Sequence, residues 1–436
     1  MRRDRLSWSA LTLLVFASVV CNGAFAQNGT SASEEEESEI RAALQGIIEQ
    51  DPEHAAEAQK ALDALDKPTS SPEGRQARNR RERGARRIVN GLPSRSHPAV
   101  GALLQGNTPK TASILCTGTL VGCDKFLTAA HCIAEDPSPG SYLVFFQELG
   151  FLEVKDIRWE KEKYRFPYFD LAMLTLAKPV EGIAPMPINM SVQPLRNSVA
   201  TIVGFGRTGG RRYDYGIKRE GSIKVAACPA NLARDQVLCW RFDADVTSRT
   251  SAQNTCNADS GGGIFMRDND GQRVVEKLFG TVSGGTDGNC MRNDISYNVD
   301  VFRYRDWIRE VGEGRLSSAM CGRPLWDGPR NGPTYRVLSL SERNPEARFT
   351  VEAPEGGTSL RIAMNAEDND QGKNAFSFSA FGTRGTRSSE NLCQDKGSGQ
   401  FAFCTIDRPE RGRWTIVLKR IRGEGQVQIT TFLVRK

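Results

Sequence analysis

Histidine is scarce in this chain, with three among 436 residues. No pair of cysteines has the close two-plus-two spacing of a zinc site, so neither imidazole nor thiolate chemistry points to a metal, and no cofactor is expected. Charge of one sign is lacking too. Against 58 basic side chains stand 52 acidic ones, and a formal excess of +6 gives no reason to expect a nucleic-acid partner. Long apolar runs are missing: the longest, residues 11–20, is too short to span a bilayer stably.

That run follows a basic start, Arg2-Arg3-Asp4-Arg5, and leads into Ala24-Phe25-Ala26, so residues 1–26 read as a signal peptide cut before Gln27. A lipoprotein reading through Cys21 is disfavoured because Val20, before it, is not small. The expectation is a secreted or periplasmic protein with no membrane anchor after processing. Of eleven cysteines, Cys21 would leave with the signal, and the even number remaining in an exported chain favours disulfides.

Residues 27–87 read as a pro-region. Ser33 with Glu36 forms a capping-box signature, and residues 34–50 and 52–66 carry apolar residues at helical spacing, broken at Asp51-Pro52. Residues 67–87 turn Arg-rich without an apolar period and read as an exposed linker. From Ile88 to Val311 the texture changes. Short apolar runs at 99–104, 113–121, 142–146, 171–176 and 199–203 alternate with Gly, Pro, Asp and Asn, the pattern of an all-β barrel or sandwich. One helix is expected over 301–311. Residues 322–334 read as a Gly/Pro-rich linker and 335–436 as a second all-β module.

A serine hydroxyl needs a base, a carboxylate to orient that base, and donors for the developing oxyanion. His54 falls in the pro-region and His97 beside a proline, whereas His131 ends the run Leu127-Thr128-Ala129-Ala130 next to Cys132. Ser260 stands in Asn257-Ala258-Asp259-Ser260-Gly261-Gly262-Gly263, where glycines permit a tight turn and close backbone approach. Either segment alone would be ordinary.

Together they resemble the chymotrypsin/trypsin-like serine peptidases. Thr128-Ala129-Ala130-His131-Cys132 is similar to that family's histidine box, Phe169-Asp170-Leu171-Ala172-Met173-Leu174 to its aspartate segment and Asp259-Ser260-Gly261-Gly262 to its serine box. Arg87-Ile88-Val89-Asn90-Gly91 resembles its activation site, Gly204-Phe205-Gly206 a turn found there and Ser283-Gly284-Gly285 its substrate-pairing strand. The resemblance covers 88–311 and places the peptidase domain at 88–321. It implies an all-β fold, a double six-stranded Greek-key β-barrel with a C-terminal helix. Residues 335–436 resemble the bacterial pre-peptidase C-terminal domain, through Arg348-Phe349-Thr350-Val351, Leu360-Arg361-Ile362 and the strand from Gly412 to Leu418, which implies an added β-sandwich.

The roles implied are Ser260 as nucleophile, His131 as base and Asp170 as its orienter, with the N–H groups of Ala258 and Ser260 as the oxyanion hole. A cut after Arg87 by an activating peptidase would free the Ile88 amine to pair with Asp259. The partners are therefore a protein or peptide substrate and an activator. Implied disulfides are Cys116–Cys132, Cys228–Cys239 and Cys256–Cys290, with Cys393 and Cys404 expected to pair; exclusion leaves Cys123 and Cys321. The substrate cleft would be lined by Asn254, Ser283, Gly284, Gly285 and Ser296. Three departures stand out. Ala258 replaces glycine, Gly284 replaces tryptophan and removes an apolar wall, and Asn254 replaces the aspartate that selects Arg or Lys. Strong basic preference is therefore not expected. The leading expectation is a secreted endopeptidase made as a zymogen; the alternative is a catalytically weak homologue that binds or regulates through the same cleft.

Overall fold

Strands buried on both faces show as continuous apolar runs, and those buried on one face alternate. Both kinds occur. The computed structural model describes Gln45, Gln59 and residues 88–436, except 233–235, 244–251, 270–273, 327–331, 354, 356, 370–373, 383–392, 395–399 and 436. Gln45 and Gln59 are helical and fall in the two spans read as helices. The signal peptide, the rest of the pro-region, His54 and Arg87 lie outside the described residues. Two compact units divide the chain, Met1–Arg83 and Gly84–Lys436, and every described strand belongs to the second.

Six antiparallel strands close into a barrel: Val100–Gln105, Ser113–Leu120, Lys125–Thr128, Tyr142–Phe146, Gly150–Trp159 and Ala172–Leu176. Leu103, Phe126, Val144 and Leu174 pack into one core, while Ala102, Leu127, Phe145 and Met173 on the alternate face pack into another. That is why Tyr142–Phe146 and Ala172–Leu176 are buried at every position. The second core also takes in Val203 and Phe265 from a seven-stranded antiparallel sheet, and Phe205 just beyond one of its strands. This sheet is ordered Leu92–Pro93, Arg219–Lys224, Val199–Gly204, Gly263–Asn269, Val274–Gly285, Ile295–Asp300 and Val237–Arg241.

Among the described residues from 88 onward, the one α-helix is Arg305–Gly312, with Trp307 and Ile308 buried. It starts later than the expected 301. The Asp300 carboxylate accepts the Phe302 N–H at 3.0 Å and holds the intervening residues in a turn first.

The last hundred residues form two four-stranded antiparallel sheets. One is ordered Thr334–Leu340, Gly425–Arg435, Gly357–Ala366, Phe401–Asp407; the other Glu346–Ala353, Gly412–Arg422, Ala375–Phe381, Cys393–Gln394. Alternate residues such as Leu360, Ile362, Phe376, Phe378, Trp414, Ile416 and Ile429 share one core. The fold is thus all-β, a barrel-and-sheet body with an added β-sandwich. In the stretch read as a linker, Leu325 is buried in the barrel's core and the Trp326 ring meets Phe432 of the last strand edge-on, with 6.1 Å between centroids.

Disulfides join Cys116–Cys132, Cys123–Cys321, Cys228–Cys239 and Cys256–Cys290. Cys404 is also disulfide-bonded, while the side chain of Cys393 lies outside the described residues.

Candidate active site

His131 sits in the 3-10 turn Ala130–Cys132, directly after the barrel strand Lys125–Thr128. The Cys116–Cys132 bridge ties this turn to the neighbouring strand. Asp170 stands two residues before the first residue of the strand Ala172–Leu176, which pairs with Lys125–Thr128 in antiparallel register, Thr128 opposite Ala172. The register brings the two side chains together. Asp170 is fully buried; its Oδ2 lies 2.7 Å from His131 Nδ1, and its Oδ1 accepts the His131 backbone N–H at 2.8 Å. A third donor, the Ser283 hydroxyl, reaches Oδ2 at 2.5 Å. A carboxylate so held fixes both the ring plane and the tautomer that leaves Nε2 free to accept.

Ser260 belongs to the turn leading into the strand Gly263–Asn269. Its carbonyl accepts the Thr117 N–H at 2.8 Å and the Gly261 N–H donates to Val282 at 2.7 Å, so the turn is clamped between the barrel and the sheet. Gly261 is necessary here: φ is +82°, and a Cβ would lie 2.1 Å from the Thr117 carbonyl oxygen. Among the described residues, the Ser260 hydroxyl donates to the Ser283 carbonyl at 3.4 Å and not to the His131 ring. Neither the Ala258 nor the Ser260 N–H has an acceptor among the described residues.

Ala258 adopts φ +68°, the left-handed conformation that glycine reaches freely. For alanine it costs about 1–3 kcal/mol and persists only where neighbours hold it. Two constraints do so: the Ala258 carbonyl accepts the Thr117 hydroxyl at 2.8 Å, and the Asp259 N–H donates to Cys256 at 2.9 Å.

Asp259 is wholly buried, and its carboxylate accepts the Gly206 N–H at 2.8 Å and the Cys256 N–H at 2.9 Å. Burial pushes its pKa up to about 7, against the two peptide donors and the nearby Arg219 charge. Gly204 and Gly206 explain their own identity: a Cβ on either would overlap this carboxylate, 2.1 Å from Oδ1 and 2.4 Å from Cγ respectively. Ile88 is buried among Ala200, Ile202 and Ile223, and Val89 bridges to Asn254.

His97 is elsewhere, stacked on Phe265 with Nε2 3.0 Å from Glu276. Burial opposes its charge, but hydrogen bonds to Glu220 and Glu276 outweigh this and raise its pKa.

Two residues that sequence reasoning missed, Phe166 and Asp294, stand against the residues expected to line the cleft. A Cβ on Gly284 would sit 2.8 Å from Cζ of Phe166, so a ring from a distant loop occupies the space beside that glycine. Phe166 also meets the His131 ring edge-on, with 5.6 Å between centroids. An apolar wall is therefore present although residue 284 is glycine. The second is Asp294. Asn254 is buried and accepts the Trp240 indole N–H at 2.8 Å; its own amide donates to Asp294 Oδ2 at 2.8 Å. The other Asp294 oxygen accepts the Thr286 hydroxyl and the Asp287 N–H, and the two Asp294 oxygens each lie 2.8 Å from where a Cβ on Gly285 would be. The residue at 254 is neutral, and the buried Asp294 carboxylate stands against its amide. Ser296 lies nearby, its hydroxyl 3.1 Å from that of Thr255 and 3.2 Å from the Gly284 carbonyl.

Cys116, His131 and Cys132 lie close enough to suggest metal ligands, but the two sulfurs are bonded to each other and cannot serve as thiolates.

Ser283 bonds both the Asp170 carboxylate and the Ser260 hydroxyl, which brings serine, imidazole and carboxylate into one neighbourhood. Residues 88–308, just over half the chain, match the Trypsin family model, and the chain belongs to that family. At family level it is a serine-type peptidase. Among known proteins it is similar to platelet-aggregating proteinase PA-BJ of Bothrops jararaca, 26% identical over 262 residues, which are 54% of this chain and 98% of that protein. Snake venom serine proteinase 14 of Crotalus adamanteus is 29% identical over 221 residues, 46% of this chain and 78% of that protein. Factor V activator of Macrovipera lebetinus is 28% identical over 247 residues, 51% and 85% respectively.

Proposed function

We infer that this protein is a secreted serine endopeptidase made as a zymogen, which hydrolyses peptide bonds through an acyl-enzyme formed on Ser260. The observation that carries it is the buried Asp170 carboxylate holding the His131 Nδ1 at 2.7 Å, with Ser283 bonded to both Asp170 and Ser260. In this reading the Ser260 hydroxyl attacks the scissile carbonyl while His131 Nε2 takes its proton. The oxyanion forms between the N–H groups of Ala258 and Ser260. The imidazolium then protonates the leaving amine, and water repeats the sequence on the ester. Ser260 turns from the Ser283 carbonyl to His131 when substrate pairs with the strand ending Ser283-Gly284-Gly285. The disulfides and the venom origin in the relatives' names support an extracellular location.

Asp294 changes the substrate class. A buried carboxylate with only neutral donors among its described partners is a poor resting state, and a substrate cation beside it would supply the missing countercharge. The enzyme is therefore read as preferring Lys or Arg before the cut. The Arg-rich segment ending at Arg87 then suits its own pocket as well as that of another peptidase. Cutting there frees the Ile88 amine for Asp259.

The test is labelling by a serine-directed phosphonate that carries a basic side chain. Protein cut after Arg87 should react, and Ser260→Ala should not. Absence of labelling in the cut protein favours the weak-homologue reading, for which Ala258 is the single supporting residue.

A further inference from the structure

The β-sandwich does not merely follow the peptidase body; it grips one loop of it. Residues 206–217 connect the turn that cradles Asp259 to the strand Arg219–Lys224. Within the loop, Asp214–Tyr215 pairs as an antiparallel strand with Asp368–Asn369 of the sandwich. The Gly216 carbonyl accepts the Asn365 amide at 2.7 Å, and the Gly216 N–H donates to the Phe205 carbonyl at 2.8 Å. Gly216 has φ +101°, and a Cβ there would lie 2.4 Å from the Ala366 carbonyl oxygen, so the two backbones touch.

The same loop is held from inside by Arg219. This guanidinium is fully buried and donates to the carbonyls of Gly206, Asp214 and Ile217 at 3.1–3.2 Å. A buried cation on neutral acceptors needs a countercharge. Glu367 of the sandwich provides it, with Oε1 3.2 Å from Nη2. The relay is short. Glu367 holds Arg219, Arg219 holds the Gly206 peptide by its oxygen, and the same residue's N–H holds the Asp259 carboxylate at 2.8 Å. Asp259 lies between the two residues whose N–H groups have no acceptor among the described residues, one of them the strained Ala258. A left-handed alanine stays in place only when its surroundings over-determine it. A second module clamped to the loop behind it is such a surrounding.

We propose that the C-terminal β-sandwich is a built-in activator of the peptidase, with Glu367 as a positioning residue that acts through Arg219 and the 206–217 loop to hold Asp259 and the Ala258 N–H in catalytic geometry. The proposal rests on Ser260 being the nucleophile, and its test separates the two. In the full chain cut after Arg87, Glu367→Gln is expected to slow phosphonate labelling and kcat about 10-fold with KM unchanged, a part of what loss of one oxyanion donor costs. Amide exchange at the bonded N–H groups of 204–207, Asp259 and Gly261 should quicken by a similar factor while Val100–Gln105 is unaffected. Ala258→Gly in the Glu367→Gln chain should restore most of the rate, because glycine holds that φ unaided. Glu367→Asp keeps the charge with a shorter reach, and should fold and lose only about 3-fold in rate. Unchanged exchange at those amides overturns the proposal, as does a rate loss that Ala258→Gly leaves untouched while Tm falls in parallel. If the wild type never labels but exchange responds as described, the clamp holds and the nucleophile reading fails.

Discussion

Phe166 stands in the space that a side chain on Gly284 would enter, with its ring also against His131. A ring carried between two barrel strands thus fills the space beside Gly284 that a side chain at that position would take. Phe166 is 46% exposed, so it can be covered by a substrate side chain. Phe166→Ala should raise KM for peptides by about 3–10-fold, the value of one aromatic contact, with a smaller effect on kcat. Steady-state kinetics on a short peptide series checks this; an unchanged KM removes Phe166 from the binding surface.

Asp170 carries three hydrogen bonds, two of them to His131. Asp170→Asn keeps the shape but presents an amide to the ring and disfavours the needed tautomer. The expected loss in kcat is about 10⁴-fold with little change in Tm, and some activity should survive through the oxyanion hole. Burst kinetics with an ester substrate would show the acylation step slowed.

The Asp294 carboxylate gives a selectivity prediction. Asp294→Asn should lower kcat/KM for substrates with Arg or Lys before the cut by at least about 30-fold, as expected for unpairing a desolvated charge. Substrates with a neutral residue there should be nearly unaffected. Equal loss on both would show that Asp294 merely supports Asn254.

Asp259 predicts how stability follows pH. In the uncut chain its folded pKa is about 7, above the ordinary 3.8. Between those values the folded state holds a proton that the unfolded state has lost, so stability falls as pH rises from about 4 to about 7. After a cut that brings the Ile88 amine to Asp259, pairing should lower this pKa and remove the decline. Melting curves of cut and uncut protein across that range should diverge toward pH 7, and Asp259→Asn should abolish the divergence. Parallel curves would sink the pairing.

Much of the fold was legible. The apolar runs at 142–146 and 171–176 match the strands Tyr142–Phe146 and Ala172–Leu176, because a strand buried on both faces leaves a local, continuous signature. The glycines of Gly204-Phe205-Gly206 were visible, but their reason was not. They are small because the Asp259 carboxylate, 53 residues on, receives the Gly206 N–H. The resemblance places glycine where Ala258 stands, and Ala258 has the left-handed φ of +68° that glycine reaches freely.

What the order of residues determined alone was the chemistry on offer: one histidine in a buried run, one serine among glycines, one aspartate heading a strand, and all-β texture. Each of these depends on neighbours within a few positions. Only the tertiary structure decided what each buried charge meets. Asp294 reaches Asn254 across 40 residues and Glu367 reaches Arg219 across 148, and neither pair leaves a local trace. The physical reason is that the free energy of a buried charge depends on every group around it. Those neighbours exist only once the sheets have closed and the sandwich has docked.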